Sequence, residues 1–387
     1  MSEPMSAPIY LDYNATTPVD PRVLEAMLPW LRDGFGNPSS DHVYGRRAKA
    51  AVENAREQVA ELIGARPGEI VFASCASEAN NLALLGAARA LREGGRRGLL
   101  FSAVEHPSVA QPMRHLAETG WSAEELPVDT TGRVDPAHAA AVITAEVALV
   151  SLMLANNEVG TIQPVRAVAD LAHAAGALMH VDAAQAVGKM AVDVDALGCD
   201  LLTLAGHKFY APKGVGALYV RSGTLLQPIQ YGAGHEGGLR PGTENVPHIV
   251  ALGEAARLAR EELEAESVHV RALRDDLHTR LASAIPGLLL NGHDHERLPG
   301  TLNVSFPGLN GWQLLAATSD LAASTGSACH AGQHSASGVL GTMGLSDERA
   351  AGAVRLSLGR FTTAAEIEPA AAALIAAWRQ IAAQIAA

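Results

Sequence analysis

Thr203-Leu204-Ala205-Gly206-His207-Lys208-Phe209-Tyr210-Ala211-Pro212-Lys213-Gly214 carries an apolar run into a lysine bracketed by histidine, glycine and proline. Residues 199–204 suit a short buried strand, and the glycines and proline beyond Lys208 mark the turn that follows. A lysine at the end of such a strand is partly desolvated, which lowers its proton affinity and lets its amine form a Schiff base. The ordinary alternative is a surface lysine in a turn. On either side, residues 69–73, 98–102, 121–126, 147–152, 177–181 and 216–220 are further β-rich runs. Between them, 77–92 and 165–175 have apolar residues every three or four positions and the length of crossover helices. The alternation predicts an α/β fold with a mostly parallel central sheet.

Beyond the Gly- and Pro-rich stretch 232–247, a run of alanine, leucine and glutamate to about residue 284 predicts a long helix leading into a second unit. Strand-like 301–306 and 353–358 then alternate with helical 312–318, a helix around 335–343, and 364–386, which suits a smaller C-terminal α/β domain. A chain of 387 residues has room for one large domain and a smaller one. Hydrophobic residues make up 48% and charged residues 18%, a globular rather than disordered composition. The formal net charge of −12 disfavours nucleic acid and anionic membranes as partners. No basic apolar leader and no apolar run of spanning length are present, so a soluble, cytoplasmic protein is expected. The three cysteines, Cys75, Cys199 and Cys329, have neither disulfide-framework nor metal-ligand spacing, and no metal is expected.

In open α/β sheets ligands collect where strands end and helices begin. Three clusters sit at such points. Ser74-Cys75-Ala76-Ser77-Glu78 opens a helix whose free N–H groups, with the Ser77 hydroxyl, suit a phosphate; an ordinary N-cap at Ser74 or Ser77 is the alternative. Asp182-Ala183-Ala184-Gln185 offers a carboxylate for a protonated ring nitrogen and an amide for a neighbouring ring oxygen, or merely a capping aspartate. Lys208 is the third. An aldimine lysine, a ring-nitrogen carboxylate and a phosphate-binding helix start are together what pyridoxal 5'-phosphate (PLP) requires.

Ordered motifs then extend the pattern: Tyr10-Leu11-Asp12-Tyr13-Asn14-Ala15-Thr16-Thr17-Pro18, Gly36-Asn37-Pro38-Ser39-Ser40, Glu105-His106-Pro107, Ala155-Asn156-Asn157-Glu158-Val159-Gly160 and Arg240-Pro241-Gly242-Thr243-Glu244-Asn245. With these the chain resembles, nearly end to end, the cysteine desulfurases and selenocysteine lyases of the class V aminotransferase superfamily, fold-type I PLP enzymes. The resemblance implies a large PLP-binding domain over 16–257 and a small domain from 1–15 and 258–387. It implies that Lys208 binds the cofactor covalently, His106 stacks on its ring, Asp182 pairs with the ring nitrogen and Gln185 contacts the ring hydroxyl. Ala76, Ser77 and His207 would hold the phosphate. Thr243 would reach the phosphate of the neighbouring subunit, making the protein a homodimer. Asn157 and Arg355 would bind the substrate carboxylate, a task suited to a guanidinium fork, whereas an arginine taken alone reads as a surface ion pair.

Ser324-Thr325-Gly326-Ser327-Ala328-Cys329-His330 and the Gly- and Ser-containing stretch to residue 338 read as a mobile loop. A thiol there can visit the cofactor, whereas a cysteine chosen blindly is more often a small core residue. The resemblance makes Cys329 the sulfur acceptor, with Cys75 and Cys199 structural. It further implies conversion of L-cysteine to L-alanine, a persulfide on Cys329 destined for a sulfur-acceptor protein, and His106 as a proton acceptor. Two positions depart from the commonest desulfurase pattern: Cys75 in place of a glycine and Ala205 in place of a phosphate-binding serine. The runs Met153–Asn157, Phe209-Tyr210 and 240–245 also resemble selenocysteine lyases, leaving sulfur and selenium both open. An aminotransferase or epimerase of the same superfamily would need no Cys329, and a non-catalytic scaffold gives Lys208, Asp182 and His106 no reason to occur together.

Overall fold

The computed structural model describes residues 7–326 and 337–386. After the two-residue strand Ile9–Tyr10 (β1), the chain builds a seven-stranded sheet. Its strands are Ile70–Ala73 (β2), Gly98–Ser102 (β3), Ser122–Leu126 (β4), Val147–Met153 (β5), Leu178–Asp182 (β6), Leu201–Ala205 (β7) and Gly216–Val220 (β8). Their spatial order is β2-β8-β7-β6-β5-β3-β4. Every pairing is parallel except the two made by β8, which runs antiparallel to β2 and to β7. The sheet is mostly parallel, as expected. Strand limits shift by a residue or two: β2, β4 and β6 begin one residue later than their runs suggest, β5, β6 and β7 end one residue later, with β6 ending on Asp182 itself, and β7 begins two residues later, at Leu201. Strand β5 is buried along its whole length, as a parallel strand covered on both faces must be.

Apolar clusters cover both faces of this sheet. One gathers Val150, Leu152, Val181 and Leu204 with the helices Val43–Leu62 and Val165–Ala174. The other joins Leu149, Leu201 and Leu218 to the helices Ala76–Leu91 and Pro107–Glu118. A separate cluster forms on an antiparallel sheet of Leu289–Asn291 (β9), Thr301–Ser305 (β10) and Ala353–Ser357 (β12), ordered β12-β10-β9. The strand β1 pairs in parallel with Leu321–Ala322 (β11), and Leu11 enters this second core. The helix Val246–Ala284 serves both cores: Ile249, Leu252 and Ala256 pack in the first, and Leu273, Leu277 and Leu281 in the second. Between them, residues 260–269 contain no buried residue. We propose placing the boundary between the two units within this helix.

An ionic knot ties the two units together behind Lys208. Arg360, after β12, donates to Asp20 at 2.9 Å and to Glu266 at 2.8 Å, and lies 3.2 Å from Glu262. Its guanidinium stacks on Tyr210, whose hydroxyl donates to Glu266 at 2.8 Å. Tyr210 sits at φ 71°, a left-handed conformation that costs a non-glycine residue about 1–2 kcal/mol and is held here by these contacts. Hydrogen bonds from Arg22 hold the Asp20 carboxyl down at about 2.

Arg360→Met is expected to lower unfolding stability by about 3 kcal/mol, because it strands buried carboxylates, and urea denaturation will measure it. The folded-state pKa of Asp20 lies below its unfolded value, so its contribution is complete above pH ~4 and is lost as pH falls towards 2. Asp20→Asn should flatten that part of the acid-unfolding curve.

Candidate active site

Strands β5, β6 and β7 run in parallel, so Met153, Asp182 and Ala205 end at one edge of the sheet. The start of the helix Ala76–Leu91 and the loop bearing His106 meet them there. A cavity of about 300 Å³ lies at this edge. Ala76, Ser77, His106, Asn157, Asp182, Gln185, His207, Lys208 and Arg355 all line it. Thr243 does not. It is exposed on the turn before the long helix, beside Glu244, which lines a separate open depression of about 820 Å³ that holds none of the expected cofactor groups. Cys329 lies outside the described residues. Cys199 is buried, but Cys75, read from sequence as structural, lines the cavity: it is the N-cap of the helix, where a residue borders the ligand space rather than the core.

Lys208 closes a single 3-10 turn, Gly206–Lys208, directly after β7. Its amine donates to the carbonyls of Asn14 at 2.7 Å and Ala15 at 2.8 Å. Burial and then the nearby Arg355 cation bring its pKa down to about 8, against the pull of Asp12 and Asp182. A tenth or so of such an amine is unprotonated at pH 7, far more than for a solvated lysine. Burial and surrounding lysines likewise depress His207 to about 4, so it is neutral, with Nδ1 3.2 Å from the Thr16 hydroxyl.

Asp182 receives Ala184 N–H on one oxygen at 2.9 Å and the Asn80 amide on the other at 2.8 Å. The same Asn80 nitrogen donates to Ser108 Oγ at 2.9 Å, which lies 2.8 Å from His106 Nδ1. Ser108 N–H donates to that Nδ1 as well, at 3.1 Å, so neutral His106 carries its proton on Nε2. Its Nδ1 lone pair is taken up by Ser108, which lines the same cavity. Burial also lowers its pKa.

Arg355 on β12 donates to the Asn157 carbonyl at 3.0 Å and pairs with Asp12 at 2.7 Å. Its Nε is buried without a hydrogen-bond partner among the described residues, one donor left over for an incoming acid. Asn14, Asn80, Ser108 and Asp12 were not singled out individually in the sequence. For Asn80 a signal existed, since it lies three residues after Ser77 on one helix and so shares its face.

These residues fit PLP. The cavity volume is in the range of small-ligand sites, a carboxylate fed only by neutral donors faces it, and a lysine of lowered basicity opens into it. At the start of the helix the sulfur of the cap residue Cys75 accepts from Ser74 Oγ at 3.8 Å and does not cap the helix, leaving N–H groups for a phosphate.

The family described as aminotransferase class-V matches residues 9–369. The cysteine desulfurase IscS of Anaeromyxobacter dehalogenans is 46% identical over 94% of this chain and 91% of its own length. Among solved structures, a NifS-like protein superposes with a TM-score of 0.90 at 37% identity, covering 97% of this chain and 99% of that one. A structure titled SspA in complex with cysteine gives 0.80 at 36% identity over 92% of this chain and all of the other, 100%. The chain belongs to the PLP-dependent class-V aminotransferase family, among its cysteine desulfurases.

Proposed function

We propose that this protein is a PLP-dependent cysteine desulfurase that converts L-cysteine to L-alanine and leaves the sulfur as a persulfide on Cys329. The observation that carries the reading is the convergence of the Lys208 amine, the Asp182 carboxylate, a helix start and the spare Arg355 donor on one cavity. The cysteine bound by the similar SspA structure supports L-cysteine as substrate.

When bound, the cofactor serves as an electron sink for the bonds around the substrate α-carbon. The residues do the rest. Lys208 would hold the cofactor, and its amine, when free, would take the substrate α-proton; its lowered pKa suits both tasks. Asp182 holds a proton on the ring nitrogen, Gln185 meets the ring hydroxyl, and Ala76, Ser77 and His207 line the phosphate end. His106 would stack on the ring and offer Nε2–H to the bound ligand. Arg355 takes the substrate carboxylate through its free Nε edge, with Asn157 beside it. The Cys329 thiolate attacks the substrate sulfur, a sulfur–sulfur bond forms as the carbon–sulfur bond breaks, and the carbon is protonated to give L-alanine. A sulfur-acceptor protein then takes the outer sulfur.

We further place the protein in the cytoplasm as a homodimer in which Thr243 serves the neighbouring site. The exposed position of Thr243 and the buried Glu244 Oε2 beside it, 4.0 Å from His235 Nε2 and without a hydrogen-bond donor among the described residues, support a second copy covering this region. No helix among the described residues is long and apolar enough to cross a membrane. A reducing compartment suits the free thiols of Cys75 and Cys199.

Purified protein should release L-alanine from L-cysteine, and Cys329→Ser at equal PLP loading should abolish that release; turnover of L-selenocysteine alone would replace this reading with a lyase. Arg355→Gln should raise KM for L-cysteine about tenfold, since a charge-assisted contact to the carboxylate is lost. The rate at which cofactor-free protein captures added PLP should climb with pH through about 8 and level off above it, because only the free Lys208 amine reacts.

A further inference from the structure

We propose that Lys189, which the mechanism above does not use, is a positioning residue: its amine sets which way round the Gln185 and Asn14 side-chain amides stand, so that Gln185 meets the cofactor ring with its NH2 end. The inference rests on reading the cavity as the PLP site.

Lys189 Nζ donates to Gln185 Oε1 at 2.8 Å and to Asn14 Oδ1 at 2.9 Å. Among the described residues no carboxylate pairs with it, and its stem borders a small crevice shared with Tyr13, Thr17, Tyr210 and Glu266. A side-chain amide has a donor end and an acceptor end that are nearly equal in shape, so something must decide between its two orientations. An amine offering N–H groups decides it, because each amide must turn its oxygen towards the lysine. The consequences are visible on the other ends. Gln185 Nε2 donates to the Asn14 carbonyl at 2.9 Å, the oxygen on which Lys208 rests, and Gln185 lines the cavity. Asn14 Nδ2 donates to Thr301 Oγ1 at 2.9 Å and to the Asn157 carbonyl at 3.2 Å, which also accepts from Arg355. One amine thus orders both the cofactor side and the substrate side of the cavity.

The backbone is shaped for this contact. Gly188 turns at φ +77°, and a Cβ there would come within 2.5 Å of Phe209 Cβ, so glycine lets the chain fold back beside the lysine turn and bring Lys189 to Gln185. Burial, with Lys208 and Arg355 nearby and only Glu266 opposing, pushes the Lys189 pKa well down.

The test compares wild type, Lys189→Met, Lys189→Gln, Gln185→Ala and the double variant Lys189→Met/Gln185→Ala, each purified with PLP. Cofactor release and the pH midpoint of the visible absorption are measured, with thermal melts alongside. Lys189→Met should release PLP about tenfold faster and raise the midpoint, because the Gln185 donor no longer steadies the ring oxygen. Lys189→Gln, which keeps a donor, should recover part of both, and Lys189→Met should add nothing in the Gln185→Ala background. Equal behaviour of Lys189→Met and wild type, or additive effects in the double variant, would overturn the proposal while leaving the desulfurase reading intact. Should Lys189→Met not fold, Lys189→Gln decides: a midpoint between those of wild type and Gln185→Ala is expected, and one equal to wild type or shifted further than that of Gln185→Ala would overturn the proposal. Wild-type protein without a visible PLP band would overturn both.

Discussion

One carbonyl oxygen, that of Asn14, carries the arrangement on which the rest of the cavity depends. It accepts from the Lys208 amine and from the Gln185 amide, while the Asn14 side chain engages Lys189, Thr301 and Asn157. The segment that bears it leaves the second core at Leu11 and crosses to the carboxyl edge of the first sheet. Its own backbone is fixed at the far side by Asn14 N–H to Ser357 Oγ at 2.9 Å. A backbone acceptor cannot be protonated or swung away, so the lysine is parked by a partner that does not titrate with it.

Around this point the cavity gathers more cationic side chains than a dry environment tolerates easily. Lys208, Lys189 and Arg355 act on one another, and only Arg355 has a direct carboxylate partner, Asp12. Desolvation without full neutralisation is what lowers the basicity of both amines. An arginine cannot respond in this way, so it keeps its charge and its ion pair. The same burial thus yields two different chemical states according to side-chain type: reactive amines and a permanent cation for an acidic ligand.

The legibility of this protein in its sequence follows the range of the forces involved. Lys208 and Asp182 sit at the ends of apolar runs, so local pattern places them at strand ends, while His106, after β3, is legible only through the resemblance; the parallel order of β3, β5, β6 and β7 brings all three to one edge. Strand limits slip by a residue or two where backbone pairing outvotes side-chain polarity, as when Asp182 pairs with Thr203. The helices Pro21–Arg32 and Val43–Leu62 are harder to see. The second packs through Ala48, Val52, Ala55 and Val59 and displays many charges, so its apolar stripe is narrow. Asn80, Ser108 and Lys189 gain their roles only from partners on other elements, which no local pattern specifies. Cys75 misleads for the opposite reason: composition suggests a small core residue, while its place at a helix start turns it to the cavity.

The bond between Asn14 and Ser357 spans 343 positions of the chain. On the ribosome, the lysine strand and its sheet emerge long before β12, yet the segment that parks Lys208 has its backbone anchor only once Ser357 has been made. Closing such a loop is slow and comes late, and domains otherwise fold in the order of synthesis. The backbone anchor of the segment that parks Lys208 is therefore among the last contacts of the cavity to form. The cavity is in effect assembled like a clasp, whose two halves are made 343 positions apart.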